Sequence, residues 1–200
     1  MKGYHIYIPN YTIGADCYKE IPWVTRKYGK KAVVIGGKTA MEKVRNALLD
    51  GIDGSELEIT DFVWYGGEAS YENAEELMKM EAVKNADMIF AVGGGRVMDT
   101  CKVVKERLDK PMFTFPTLGS NCAATTSIAV IYHPNGAVNN YFYAKTPAEH
   151  IFINTKIIAE SPENMFWAGI GDAISKELEA QLSIRGHKVA HTPLMGNQLS

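Results

Sequence analysis

The chain has 200 residues, which is enough for one or two domains and too many for a miniprotein held together by disulfide bonds. Apolar residues make up 46% and charged residues 22%, as in globular rather than disordered proteins. The 21 basic and 23 acidic side chains give a net charge of −2, which argues against nucleic acid or an anionic membrane as partner. No apolar run is long enough to cross a bilayer, and Cys17, Cys101 and Cys122 have no disulfide or metal-site spacing, so we expect a cytoplasmic location.

Short apolar runs alternate with stretches of helical periodicity in the first part of the chain. The strand candidates are residues 31–37, 59–65, 87–92 and 111–115. The first is β-branched and apolar on both faces, which is typical of a buried parallel strand. Three predicted helices follow the first three strands, the second of them capped by Ser70. This alternation predicts an α/β fold, a mostly parallel Rossmann-like sheet with helices on both faces.

The pattern changes after residue 126. Residues 127–132 and 138–143 flank a turn at 133–136 and predict an antiparallel hairpin, and residues 151–153 predict one more sheet strand. Ser161 is the predicted cap of a helix that runs to about residue 184. We therefore expect an α/β domain over residues 1–160 and the first helices of a helical domain over 161–200, which is too short to hold a core alone.

Three consecutive glycines, Gly93, Gly94 and Gly95, separate the third predicted strand from its helix. Glycines there let backbone N–H groups approach a diphosphate, and Arg96 in the first helical turn can pair with a phosphate. The spacing matches neither the common dinucleotide fingerprint nor the P-loop. Taken alone, a tight turn without ligand is an equally good interpretation.

Two further segments carry polar groups. Thr117 and Ser120 follow the fourth strand, where they can complete a diphosphate site, although a self-capped loop is the simpler interpretation. Asp172 follows two glycines inside a predicted helix and is a candidate metal ligand, although a solvated carboxylate explains it as well. His187 and His191 are interpreted as surface histidines, and no catalytic triad is legible.

Together these segments resemble the metal-dependent, or iron-containing, alcohol dehydrogenases, in their glycerol dehydrogenase-like branch. Residues 93–102 match Gly-Gly-Gly-Arg/Lys-x-x-Asp-x-x-Lys, residues 116–120 match Pro-Thr-x-x-Ser, and residues 171–176 match Gly-Asp-Ala-Ile-Ser-Lys. The combination is specific, whereas any one block is not. The resemblance covers essentially the whole chain and implies the dehydroquinate synthase-like fold.

The resemblance implies NAD- or NADP-dependent, metal-assisted hydride transfer between a small alcohol or polyol and its carbonyl form. A divalent metal, zinc or iron, would bind the substrate hydroxyl and favour the alkoxide. The metal ligand carried over from the family is Asp172. The cofactor-binding residues carried over, together with Arg96, are Gly93, Gly94, Gly95, Asp99, Thr117, Ser120, Thr126, Ile128 and Tyr132.

The chain departs from the family pattern at three points. Cys122 stands where glycerol dehydrogenases have a substrate-binding Asp, which leaves the substrate open. The acid that binds the adenosine ribose in NAD enzymes is replaced in residues 35–38, where Lys38 can accept a 2′-phosphate, so NADP remains an alternative. The family's two metal-binding histidines would lie beyond Ser200, so we expect an incomplete, poorly active form of a longer enzyme.

Two other functions remain possible on the same sheet. One is a non-catalytic nucleotide- or partner-binding protein, and the other is a dehydroquinate synthase-like lyase, which is disfavoured because its basic phosphate-binding pattern is not found. The expected partner of the enzyme is a small alcohol or carbonyl compound. We expect the exposed stub after residue 160 to favour self-association into a homo-oligomer.

Overall fold

The computed structural model of the chain describes residues 8–185. Six parallel strands form one sheet in the order β1-β8-β5-β4-β2-β3, and β6 and β7 form a separate antiparallel hairpin. The strands are β1 (Asn10–Gly14), β2 (Lys31–Gly36), β3 (Glu58–Trp64), β4 (Met88–Gly93), β5 (Met112–Pro116), β6 (Ile128–Tyr132), β7 (Val138–Tyr143) and β8 (His150–Asn154). The helices are α1 (Ile21–Thr25), α2 (Lys38–Ile52), α3 (Tyr71–Lys79), α4 (Glu81–Asn85), α5 (Gly95–Leu108), α6 (Thr155–Ala159) and α7 (Glu163–Arg185), with a short 3-10 helix at Cys17–Glu20.

Helices cover both faces of the sheet, as the sequence predicts. Along β2, Val33 and Ile35 pack with α3, α5 and the hairpin, whereas Ala32 and Val34 pack with α1 and α2. All four side chains are fully buried, which explains why this strand is apolar on both faces. The α/β prediction is therefore confirmed, and so is the hairpin.

The sequence analysis does not predict the first strand but correctly predicts the cap of α3. Strand β1 was not predicted. It is an edge strand that pairs with β8, and its Tyr11 and Ile13 side chains are 63% and 59% exposed. Its sequence therefore lacks the apolar pattern of a buried strand. The Ser70 hydroxyl caps α3 by accepting a hydrogen bond from the Asn73 N–H at 3.2 Å, as predicted.

The last described element, α7, is a single helix of 23 residues. Four of its large apolar side chains are more than 60% exposed, namely Trp167, Ile174, Leu178 and Leu182. Within residues 8–185, no helix is both long enough and apolar enough to cross a membrane. The division into two domains near residue 160 stays a prediction.

Candidate functional site

A cleft of about 690 Å³ lies at the carboxyl edge of the sheet. Its lining comes from the ends of β2, β4 and β5 and from the start of α7, chiefly residues 37–40, 93–97, 117–118 and 160–162. Open parallel sheets bind their ligands at this edge, and ligand sites of about 300–1,000 Å³ are usual. The cleft is therefore the candidate binding site of the described part of the chain.

The glycine turn and the loop after β5 meet in this cleft. Gly93 has a φ of +145°, a backbone conformation that favours glycine. A Cβ atom on Gly94 would lie 3.2 Å from the Leu118 side chain, and one on Gly95 would lie 2.9 Å from the Asn121 amide. The Thr117 N–H donates to the Gly93 carbonyl at 3.2 Å. The two loops converge, as expected, and their close packing itself requires small residues.

The N-terminus of α5 faces the same cleft. Its N-cap is Gly94, which offers no side chain to the first helical turn, so the N–H groups of that turn are available to a ligand. The positive end of the helix dipole adds to their attraction for an anion. This arrangement can hold a phosphate or diphosphate group.

Basic side chains outnumber acidic ones around the cleft. Lys38, Lys43 and Arg96 contribute to its lining, and Glu160 is the one carboxylate among the described lining residues. Lys43 Nζ lies 2.6 Å from Glu160 Oε2. Arg96 Nε lies 3.2 Å from a carboxylate oxygen of Glu68. The remaining charge of the lining is positive, which favours an anionic ligand.

Ser161 does not cap the last helix, contrary to the sequence prediction. The sequence predicts that its hydroxyl caps the last helix, but α7 begins at Glu163 and the buried Ser161 Oγ has no hydrogen-bond partner in the described part of the chain. A buried hydroxyl without a partner is costly, and Ser161 lines the cleft. A bound ligand is therefore a natural partner for this oxygen.

Asp99 lies behind the glycine turn and does not line the cleft. One carboxylate oxygen accepts from Lys102 Nζ at 2.9 Å, and the other accepts from the Val130 N–H at 3.1 Å. Burial raises the pKa of the Asp99 carboxyl and lowers that of the Lys102 ammonium, because both charges have lost water, and their mutual attraction opposes both shifts. The structure uses both Asp99 oxygens to tie α5 to the hairpin. A direct cofactor contact by Asp99 stays a prediction.

The residues predicted for the nicotinamide side lie along the hairpin rather than in the cleft. Lys102 Nζ also donates to Thr126 Oγ1 at 3.1 Å and to the Ile128 carbonyl at 2.6 Å. The Tyr132 N–H donates to the Ala69 carbonyl at 2.8 Å. Thr126 and Ile128 are thus fixed to α5, the helix whose first turn lines the cleft.

Helix α7 rests directly on the loop after β5. A Cβ atom on Gly169 would lie 1.6 Å from the Gly119 carbonyl oxygen, so only glycine permits this contact. Asp172, nearly one turn further along, forms an ion pair of 2.9 Å with Lys176. The hydrogen bond with Asp172 raises the pKa of Lys176, and the exposed Cys122 adds a weaker electrostatic contribution. The predicted metal ligand and the predicted substrate residue are therefore neighbours of the same lysine.

The described residues do not complete a metal site. Among residues 8–185, no group of three or more His, Cys, Asp or Glu side chains is placed to hold a metal ion. His187 and His191 lie outside the described residues. Asp172 alone cannot supply the three protein ligands of a catalytic zinc site.

Several residues of the cleft are not predicted from the sequence, among them Gly37, Lys43 and Glu160. Gly37 follows β2, Lys43 lies in α2, and Glu160 is the residue that ends α6. The rule that ligands bind beyond the carboxyl ends of strands could have found Gly37. Lys43 becomes recognisable only once its ion pair with Glu160 is seen.

The sequence matches the family model for iron-containing alcohol dehydrogenases over residues 9–154. The chain belongs to the iron-containing alcohol dehydrogenase family. It is 32% identical to glycerol dehydrogenase 1 of Schizosaccharomyces pombe, over 84% of this chain and 36% of that protein. It is 33% identical to a glycerol-1-phosphate dehydrogenase [NAD(P)+] of Methanoregula boonei, over 82% of this chain and 44% of that protein.

Its fold is that of the same family. A crystal structure of glycerol dehydrogenase from Schizosaccharomyces pombe superposes with a TM-score of 0.82 at 30% identity, covering 92% of this chain and 47% of that one. The family resemblance inferred from the three motifs is confirmed. The chain spans less than half of the length of these relatives.

Proposed function

We propose that this chain forms the cofactor-binding part of an NAD(P)-dependent dehydrogenase that interconverts a small alcohol or polyol and its carbonyl compound. The observation that carries the proposal is the cleft, in which a glycine turn, an uncapped helix N-terminus and basic side chains converge. The names of the relatives, glycerol dehydrogenase and glycerol-1-phosphate dehydrogenase, support the reaction class.

The residues of the cleft would hold a dinucleotide cofactor by its diphosphate. The N–H groups at Gly95 and Arg96 would bind the phosphates, Thr117 would contact them from the second loop, and the Ser161 hydroxyl would gain a partner. Ser120, in the same loop but outside the described lining, is proposed to complete the site. When bound, the nicotinamide supplies the hydride acceptor and donor of the reaction. Thr126, Ile128 and Tyr132 of the hairpin segment would line its nicotinamide end.

Asp172 is proposed as one ligand of a zinc or iron ion, and Cys122 as a neighbour of the substrate. The described residues do not fit a complete metal site, so no catalytic step is assigned to Asp172. A cytoplasmic location and self-association through the exposed face of α7 belong to the same proposal.

Replacing Gly94 tests the diphosphate site. The Gly94→Val side chain would project toward Leu118, narrow the cleft and weaken dinucleotide binding by about tenfold or more. The measurement is isothermal titration with NAD and with NADP, and circular dichroism verifies that the variant is folded.

Gly171→Ala is the matched control, because a Cβ atom at Gly171 meets no atom within 4 Å. We expect it to bind the dinucleotides as the unsubstituted chain does. Unchanged binding by Gly94→Val would show that the glycine turn does not seat the diphosphate. Failure of the unsubstituted chain to bind either dinucleotide would refute the proposed function.

A further inference from the structure

We infer that the cleft selects a dinucleotide with a phosphate on its adenosine ribose, so that the cofactor is NADP(H) rather than NAD(H). Gly37 and Lys38 are the residues that set this selection. The inference rests on the proposed function and specifies which of the two cofactors the site takes.

The geometry of the sheet locates the adenosine ribose. Strand β2 lies beside β4, with Gly36 opposite Val92, so residues 37 and 38 stand next to the glycine turn at the same edge. In dinucleotide-binding sheets, an acidic side chain near this position binds the ribose 2′-hydroxyl of NAD, and a basic side chain accommodates the 2′-phosphate of NADP. Gly37 provides no carboxylate for the 2′-hydroxyl.

No other described residue supplies the missing carboxylate. The one acid in the described lining, Glu160, is already paired with Lys43 at 2.6 Å. Glu68 lies outside the lining and is paired with Arg96 at 3.2 Å. A ribose with two free hydroxyls would therefore find no unpaired carboxylate among the residues that the structure places around the cleft.

Lys38 is available to a phosphate. Its Nζ lies 4.7 Å from the centre of the Trp64 ring, and it forms no ion pair with any carboxylate in residues 8–185. The aromatic ring positions the ammonium group without neutralising its charge. Lys38 also begins α2, a helix of 15 residues whose N-cap, Gly37, has no side chain. A 2′-phosphate at this corner would meet a lysine and free backbone N–H groups together.

Space does not force glycine at position 37. The φ of Gly37 is −73°, which any residue adopts, and a Cβ atom would lie 3.9 Å from its nearest neighbours, Ala40 and Tyr65. An aspartate would fit there without strain. Steric exclusion therefore does not explain why position 37 lacks a carboxylate. The residue at position 37 can be substituted without disturbing the fold.

The test is the ratio of the dissociation constants for NADH and NADPH, measured by titration of the full 200-residue chain. We expect NADPH to bind about tenfold or more tightly than NADH, because a charge-assisted contact replaces a hydroxyl contact. The fragments 2′,5′-ADP and 5′-AMP should show the same order, which would assign the preference to the 2′-phosphate. Lys38→Ala should reduce the ratio toward one.

Gly37→Asp should reverse the preference, because its carboxylate repels the 2′-phosphate and accepts a hydrogen bond from the 2′-hydroxyl. Gly37→Asn is the matched control, since asparagine has the same size and the same ability to cap a helix but no charge. It should keep most of the NADPH preference.

Equal or tighter binding of NADH by the unsubstituted chain would overturn the inference and leave the proposed function intact. An unchanged ratio in Gly37→Asp would overturn the role of this position. If neither dinucleotide binds, the proposed function and the inference are both wrong.

Discussion

At the scale of single residues, the buried Lys102 ammonium is the best-satisfied charge near the site. Lys102 is 1% exposed, and its three N–H donors have three acceptors, on Asp99, Thr126 and Ile128. Burial lowers the pKa of the Lys102 ammonium, and the neighbouring Asp99 carboxylate opposes this shift. The hydrogen bonds of this pair to the Ile128 carbonyl and the Val130 N–H therefore join α5, the helix behind the glycine turn, to the strand that begins the hairpin.

Lys102→Met should lower the free energy of unfolding by about 3 kcal/mol, because it leaves the buried Asp99 carboxylate without its counter-charge. Urea unfolding measures this loss. Lys105→Met is the control on the same helix, since within residues 8–185 the Lys105 ammonium bonds to Thr146 and forms no ion pair. Its loss should be about 1 kcal/mol. Equal losses in the two variants would contradict the importance of the ion pair.

At the scale of elements, the contact between α7 and the loop after β5 decides where the last helix lies. The Gly119 carbonyl occupies the space that a side chain at Gly169 would need. The contact lies near the start of α7, at the rim of the cleft, where Pro162 and Met165 join the lining. The position of α7 therefore depends on the glycine at 169 and not on its neighbour at 171.

Gly169→Ala should be destabilising by about 1–3 kcal/mol, because either the helix or the loop must move. Gly171→Ala should be neutral or stabilise the helix by up to about 1 kcal/mol, because alanine is the better helix former and the position is open. Thermal unfolding of the two variants measures the difference. Stability in Gly169→Ala equal to that of Gly171→Ala would mean that the close contact does not exist.

Elements with a strong local pattern were predictable from the sequence, and long-range pairs were not. The apolar, β-branched residues of β2 indicate a buried strand. The three consecutive glycines at 93–95 indicate a turn between a strand and a helix. The ion pair of Lys43 with Glu160 joins segments more than a hundred residues apart, and no local pattern specifies it. The family resemblance assigns Asp99 to the cofactor, and its motif carries no information about the Val130 N–H that Asp99 binds.

At the scale of the whole molecule, stability should depend on pH through His150, which sits inside the sheet. It is 9% exposed, its Nε2 lies 2.8 Å from Thr12 Oγ1, and it packs on Phe152. Burial lowers its pKa below the ordinary value of 6.5. The unfolded chain therefore binds a proton more readily, and the free energy of unfolding should decrease as pH falls through about 6.5.

His150→Gln keeps a hydrogen-bonding group beside Thr12 and removes the titration, so it should flatten this pH dependence between about pH 7.5 and 5. His133→Gln, the same substitution in the exposed hairpin turn, is the control variant. Urea unfolding at a series of pH values provides the measurement. Equal pH profiles for the unsubstituted chain and His150→Gln would exclude His150 as the source.

The strand order of the sheet also sets the sequence of events during synthesis. Strand β8 is inserted between β5 and β1, so β1, although made first, has no partner until residue 154 has left the ribosome. A nascent chain ending near residue 116 already carries the glycine turn, but it lacks Glu160 and Ser161. The ligand-binding surface can therefore be completed only after residue 161 has been synthesised, and the distant strand pairings beneath it form slowly.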